Sequence, residues 1–293
     1  MTIIKSIKGI REIIDNYDLF ILDQWGVMHN GHNGYDDAIK CVEFLHKKNK
    51  EMIIISNSSK RKQDTIKRLP ALGFNENYFI EIMTSGEMIW QSLKNLEHEF
   101  SKSLKKNCFH IYDISKNDNK NFVKGLDNFN FVKDIDEADF ILGCSVEKRF
   151  KTIDYVPLLT KALEKKLPFI CANPDFISIE QNASDFLICM GSVAELYRKL
   201  GGKIFILGKP EIEIYKKSTL SIKNIEKSKI IAIGDSLDHD IKGANNFQVD
   251  SLLITSGIHR LNFDKNKPIW ESNINNLKNN TNLPTFLCSN FKL

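Results

Sequence analysis

The stretch "LFILDQWGVMHNG", residues 19–31, runs four apolar residues straight into Asp23 and two positions later presents Trp25. A short continuous apolar run of this kind suits a strand buried on both faces of a parallel sheet. An aspartate at the carboxyl end of such a strand can attack phosphorus and form an aspartyl phosphate. Gly26, just beyond it, would let backbone N–H groups close around phosphoryl oxygens. The same Asp-x-x-Gly spacing also fits a turn-capping aspartate. What stands at the other strand ends therefore decides the reading.

Working outward, the chain repeats one grammar. "GYDDAIKCVEFLHKKNK" (34–50) reads as a helix with Ala38, Val42 and Leu45 on one side, "EMIIIS" (51–56) as a second buried strand, and "QDTIKRLPALGF" (63–74) as a helix with Gly73 as its C-cap. Upstream, Ile7, Ile10, Ile13 and Ile14 at helical spacing predict an amphipathic lead-in helix over 4–14. Strand–helix–strand–helix order implies an α/β domain with a doubly wound parallel sheet. In the middle, "FHIYDI", "DFILGC" and "PFICAN" read as strands, and "DYVPLLTKALEKK" and "GSVAELYRKLGG" as helices. "KIFILGKP", a helix at "EIEIYKKSTLSI", "KIIAIGDSLDHDIKGANNF" and "DSLLITSGI" then return to apolar strands with polar tips. The first and last thirds are expected to share one sheet, with the middle inserted as a second α/β unit. The boundaries fall at 1–83 and 206–293 for the core and 84–205 for the insertion. The Asn/Lys-rich tract from about 271 to 282 reads as a loose connection, and "PTFLCSNFKL" (284–293) as a closing strand.

Ligands bind at the carboxyl ends of strands in open α/β sheets, so the tips belong together. The second tip is Ser56-Asn57, able to hold a phosphoryl oxygen or simply to start a turn. The third is Lys209, an ammonium suited to offsetting phosphate and nucleophile charge, or else an exposed lysine before a helix. The fourth carries Asp235, Asp238 and Asp240. Three acids beside one strand end are costly without a cation, and hard carboxylates with water suit Mg²⁺.

Asp23-x-x-Gly26-Val27, Ser56-Asn57, Gly208-Lys209-Pro210 and Gly234-Asp235-x-x-x-x-Asp240 together resemble the four motifs of the haloacid dehalogenase superfamily. "SNSSKR", "MTSGEM", "CANPD" and "GSVAELYRKLGGKIFILGKPEIEIY" further resemble its type IIA, C2-capped phosphatases, over about residues 17–260. The resemblance implies a Rossmann-like core with the cap inserted between the second and third motifs. It also implies a Mg²⁺-dependent phosphatase of small phosphorylated metabolites, of the sugar phosphate or nucleotide monophosphate type. Asp23 is then the nucleophile. Asp23, Asp235 and the Trp25 carbonyl ligate the metal, with Asp240 holding metal-bound waters. Gly26, Ser56, Asn57 and Lys209 bind the phosphate. Asn173 and Asp175 of "CANPD" fall on the substrate side, or form a plain turn. Relatives of this type act on nucleotides, pyridoxal phosphate, phosphoglycolate and sugar phosphates, and the resemblance leaves room for a homodimer through the cap.

One residue departs from the pattern. The family's phosphatases usually have a second aspartate where this chain has Trp25, and that carboxyl protonates the leaving alkoxide and later deprotonates water. His29, four residues on, is the candidate replacement, since an ordinary imidazole titrates near neutrality. His32, Asp238 and His239 are weaker candidates, and each also fits a surface or capping role. Two other readings compete. One is a catalytically impaired phosphate-binding or regulatory protein. The other is displacement at carbon in a haloacid, which needs no Mg²⁺ and leaves the acids at 235–240 without purpose.

Composition narrows the partners. A net charge of +4 with lysines spread among acids gives no clustered nucleic-acid footprint. No apolar run approaches membrane-spanning length. Cys41, Cys108, Cys144, Cys171, Cys189 and Cys288 form no C-x-x-C pair and no metal spacing. A reducing cytoplasm is the expected compartment.

Overall fold

The structure is a computed structural model and describes residues 4–115, 121–179, 186–222, 224–263, 277 and 281–293. Most of the 271–282 tract lies outside the described residues. Among those residues the first sheet has seven strands, all parallel, in the order Lys5–Ser6, Phe286–Cys288, Asp250–Ile254, Ile230–Gly234, Leu19–Leu22, Glu51–Ser56 and Glu81–Thr84. Leu22 stands opposite Ile233 on one side and Ile54 on the other. Asp23, Ser56 and Asp235 therefore emerge from the same edge of three adjacent strands.

The strands alternate with period two, so each face has its own core. Phe20, Leu22, Ile54, Ile231, Ile233 and Leu252 pack with Ala38, Cys41, Val42 and Leu45 of the helix Asp36–Lys47. Leu19, Ile21, Ile53, Ile55, Ile230 and Ala232 face the other way. The second cluster runs on through Met88, Ile89 and Leu93 of the helix Ser85–Asn95, and through Ile214 and Tyr215, to the second sheet.

That second sheet, also parallel, has the order Ile204–Phe205, Phe169–Cys171, Phe140–Gly143, Asn107–Ile111 and Asn130–Val132. All its strands fall between residues 107 and 205. A short antiparallel pair, Ile177–Ser178 with Leu187–Ile188, projects from it beside the first sheet's carboxyl edge. All six cysteines are free, and no helix among the described residues is long and apolar enough to cross a membrane.

The lead-in helix does not form. Lys5 and Ser6 pair with Phe286 and Leu287, and the amides of Ile7 and Ile10 donate to Leu287 O and Lys292 O. Donors spent on the C-terminal segment cannot close helical i→i−4 bonds, and only two short 3₁₀ turns follow, at Ile10–Glu12 and Ile14–Asn16. The four isoleucines are buried all the same. The segment 284–293 supplies the strand Phe286–Cys288, which lies inside the sheet rather than closing its edge.

Candidate active site

Asp23 sits at the strand's end with its N–H donating to Ile233 O at 2.9 Å. Its carboxylate is buried, and Oδ1 accepts from Lys209 Nζ at 2.5 Å. The same ammonium donates to Asp240 Oδ1 at 2.7 Å. Asp240 Oδ2 in turn accepts the Ser236 N–H at 3.0 Å, and Asp235 Oδ2 accepts the Ile258 N–H at 3.0 Å. Gly26 closes the nest. Its φ is +79°, and a Cβ there would lie 2.0 Å from Asp235 Oδ2, so no other residue type lets the loop approach that carboxylate.

Lys209 is oriented by Asn57. The Lys209 N–H donates to Asn57 Oδ1 at 2.7 Å, while Asn57 Nδ2 donates to Lys209 O at 3.1 Å and to Asp175 Oδ1 at 2.8 Å. The backbone donor fixes which atom of the amide is oxygen. With these contacts the Asn57 side chain braces the lysine and ties the inserted unit to the core. Ser56 is buried beside it, its hydroxyl accepting the Ser58 N–H at 3.3 Å. Asp175 also lies 3.5 Å from His239 Nδ1, and its own N–H donates to Asn173 Oδ1 at 3.1 Å, so "CANPD" meets the core at this edge.

The electrostatics follow from burying three carboxylates around one ammonium. Burial, reinforced by Asp240 and Asp175 and opposed by Lys209, pushes Asp23 up to about 7. Asp235 is pushed well above the carboxylate range by burial and by Asp23 and Asp240. Lys209 is held well above its ordinary value, because Asp23, Asp240 and Asp175 outweigh the burial that opposes its charge. One oxygen each of Asp23, Asp235 and Asp240 lie within 4.8 Å of one another. A buried, oxygen-only donor set with excess negative charge fits a hard divalent cation. Of the acids at 235–240, Asp238 is exposed, and Asp23 takes its place in the cluster.

Lys209→Met should therefore destabilise the cation-free protein by about 3–5 kcal/mol near pH 8, since it strands buried carboxylates. The deficit should shrink toward pH 5, where Asp23 and Asp235 take up protons. Denaturation midpoints of variant and parent in chelator, measured at both pH values, check this. Equal midpoints at pH 8 would refute the assigned charge balance.

The Trp25 loop has a different job from the one its neighbours suggest. Gly31, at φ +87°, lies so close beneath the indole that a Cβ would come within 2.3 Å of Trp25 Cη2 and Cζ3. His29 packs edge-on to the indole, with centroids 5.2 Å apart, and its Nδ1 accepts the Gly31 N–H at 3.1 Å. Burial, with Arg68 and Lys60 nearby, pushes its imidazole down to about 3. At neutral pH His29 is therefore an uncharged imidazole, and its contacts wedge Trp25 in place. His32 is exposed on the same loop.

Several neighbours of the nest lie outside the four strand tips singled out above. Ile258, in the turn after Asp250–Ile254, anchors Asp235 through its backbone, and that strand's carboxyl end is open to the same tip argument as the other four. Lys60 and Arg68 line a cleft next to the nest, and only three-dimensional placement reveals them.

Two sequence models match the chain. Residues 20–130 match the haloacid dehalogenase-like hydrolases and residues 206–274 a HAD-hydrolase-like family. An acid sugar phosphatase of Staphylococcus saprophyticus is 23% identical over 245 residues, 83% of this chain and 88% of its own. A 4-nitrophenylphosphatase of Schizosaccharomyces pombe is 23% identical over 277 residues, 88% and 90% of the two chains. A solved hydrolase of the haloacid dehalogenase-like family from Brucella suis superposes with TM-score 0.79 at 26% identity, covering 96% of this chain and 98% of that one. Sheet order, strand-end nest and these likenesses together give this protein the fold of the haloacid dehalogenase-like hydrolases.

Proposed function

We propose that this protein is a phosphoric monoester hydrolase acting on small phosphorylated metabolites, with Asp23 as nucleophile, an altered general acid and no carboxyl at position 25 to protonate the leaving group. The observation that carries the reading is the buried nest, in which Asp23 shares Lys209 with Asp240 and stands within ligand reach of Asp235. The relatives named as phosphatases support the same reaction class. Asp23, Asp235, Asp240 and the Trp25 carbonyl would hold Mg²⁺, which when bound supplies the positive charge the nest lacks. Lys209 offsets charge on the transferring phosphoryl group, with Ser56 and the Gly26 loop as its hydrogen-bond donors. Asn57 and Asp175 act as positioning residues. The unit 84–205 is the cap that faces the substrate.

Without a carboxyl at position 25, general acid–base help of typically 10²–10⁴-fold is missing, or roughly 3–5 kcal/mol of barrier. Both half-reactions feel the loss. Alkyl leaving groups depart poorly, and the water that cleaves the aspartyl phosphate lacks its base. A panel of esters graded by leaving-group pKa, with and without Mg²⁺, tests this. Rates should fall steeply with rising leaving-group pKa. 4-Nitrophenyl phosphate should release a burst of one equivalent of nitrophenol before slow turnover. Equal rates on phenyl and alkyl phosphates with no burst would show that another group supplies the proton.

A further inference from the structure

Trp25 and Asp175, with Ser178 of the antiparallel pair, line both of two adjoining spaces. The nest's own chamber is ≈ 20 Å³ and is bounded by Asp23, Lys209, Asp235 and Asp240 as well as these three. The other is a cleft of ≈ 290 Å³ between core and inserted unit. A phosphoryl group held against Asp23 leaves room for nothing more in the chamber. The group attached to the phosphorus then extends past Trp25, Asp175 and Ser178 into the cleft.

Two cationic residues line that cleft, Lys60, whose backbone is held in place, and Arg68. The Lys60 N–H donates to Ser58 Oγ at 3.2 Å, its carbonyl accepts from Thr84 Oγ1 at 2.5 Å, and the next residue is clamped by the Arg61–Glu87 ion pair at 2.7 Å. Arg68 donates to the carbonyl of Gly31, the residue on which the indole lies. Guanidinium, glycine and indole are thus one assembly, with a flat apolar face set beside positive charge. Asp175 is the one carboxylate among the described residues of the cleft, and it stands at the entrance, bonded to Asn57.

We infer that the ester taken by this site has a flat leaving group bearing a second negative charge, its ring against the Trp25 indole and its anion at Lys60 and Arg68. This rests on the phosphatase reading and deepens it. A flat phenol-, enol- or acyl-type leaving group is also the kind that departs with least help from a proton, so the indole at position 25 and the missing carboxyl describe one substrate.

Calorimetric binding to the Mg²⁺-loaded protein tests the subsite separately from the chemistry. The probes are 3-carboxybenzylphosphonate and its near-isosteric neutral partner, 3-carbamoylbenzylphosphonate. Turnover of the corresponding aryl phosphates is measured alongside. The carboxylate should bind roughly tenfold tighter, as a charge-assisted hydrogen bond in a partly exposed site allows. The preference should shrink in high salt and fall toward one in Lys60→Gln. Trp25→Ala should weaken both probes by roughly threefold to tenfold, the scale of a ring contact. Equal affinities for the two probes, or a preference that survives Lys60→Gln, would overturn the inference even if both esters turn over. A carboxylate preference that persists while neither ester turns over would uphold the subsite and sink the phosphatase reading instead.

Discussion

Asp23→Asn should abolish ester hydrolysis and, in the absence of metal, leave the protein more stable at pH 8 than its parent. Loss of turnover follows from removing the carboxylate proposed as nucleophile, and is expected to be on the order of 10⁴-fold or more. The gain in stability follows from the nest's charge. Asp23 has a folded-state pKa near 7, above the ordinary 3.8, because burial outweighs Lys209. A carboxyl whose pKa is raised on folding favours the fold while protonated, and stability is lost as pH rises from about 4 through about 7. Asparagine stays neutral throughout and escapes that loss, which amounts to about 1.4 kcal/mol per pH unit crossed between the unfolded and folded values. Lys209 keeps Asp240 at 2.7 Å, so the variant does not strand the ammonium. Midpoints in chelator should coincide near pH 4 and diverge in favour of Asp23→Asn by pH 8, and saturating Mg²⁺ should narrow or reverse the difference. A variant less stable than its parent at pH 8 without metal would mean that the Lys209 contact dominates the nest.

This opposition between stability and chemistry explains what could be read from residues alone. The central strands were legible because each is a short apolar run, buried on both faces, that leaves few other uses for it; Lys5–Ser6, Glu81–Thr84 and Asn130–Val132, which are short or carry polar residues, were not. The nest was legible where its members end strands of the first sheet, as Asp23, Ser56 and Asp235 do; Lys209 comes instead from the loop after Ile204–Phe205, which joins the edge of the second sheet rather than the first as expected. Asp238 shows the limit of that logic. It sits in the same acidic phrase, yet the helical turn that carries Asp240 inward points Asp238 to solvent. His29 marks a second limit. Its spacing from Trp25 suggested a proton donor, but burial, the Gly31 N–H and two nearby cations depend on packing that no local pattern announces. The lead-in segment fails for a similar reason, since its helical periodicity competes with backbone pairing to a strand some 280 residues away. The cleft's cations belong to the same class, because Lys60 and Arg68 look like ordinary surface charges until the fold brings them to the cleft beside Trp25.

Placing a carboxyl where the indole stands should produce the largest gain. Trp25→Asp is expected to raise kcat/KM on alkyl phosphates by about 10²–10⁴-fold, the usual worth of general acid–base help, while changing 4-nitrophenyl phosphate by less than about tenfold. Position 25 borders the chamber with Asp23, Asp235 and Asp240. A new carboxyl there would face the like charge of Asp23, Asp235 and Asp240 across the chamber, which favours its protonated form. It would hold its proton near neutral pH, as an acid for the leaving group must, and afterwards serve as base for the water that clears the aspartyl phosphate. The nitrophenol burst should therefore vanish in the same variant. Truncating the indole also opens the wall over Gly31, so Trp25→Ala is the necessary comparison. If alanine raises alkyl turnover as much as aspartate does, the gain comes from space, and the missing proton is not what limits this enzyme. If aspartate alone does so, the defect lies at the leaving-group oxygen, and Trp25 has exchanged breadth of substrate for a flat face on which one kind of leaving group rests.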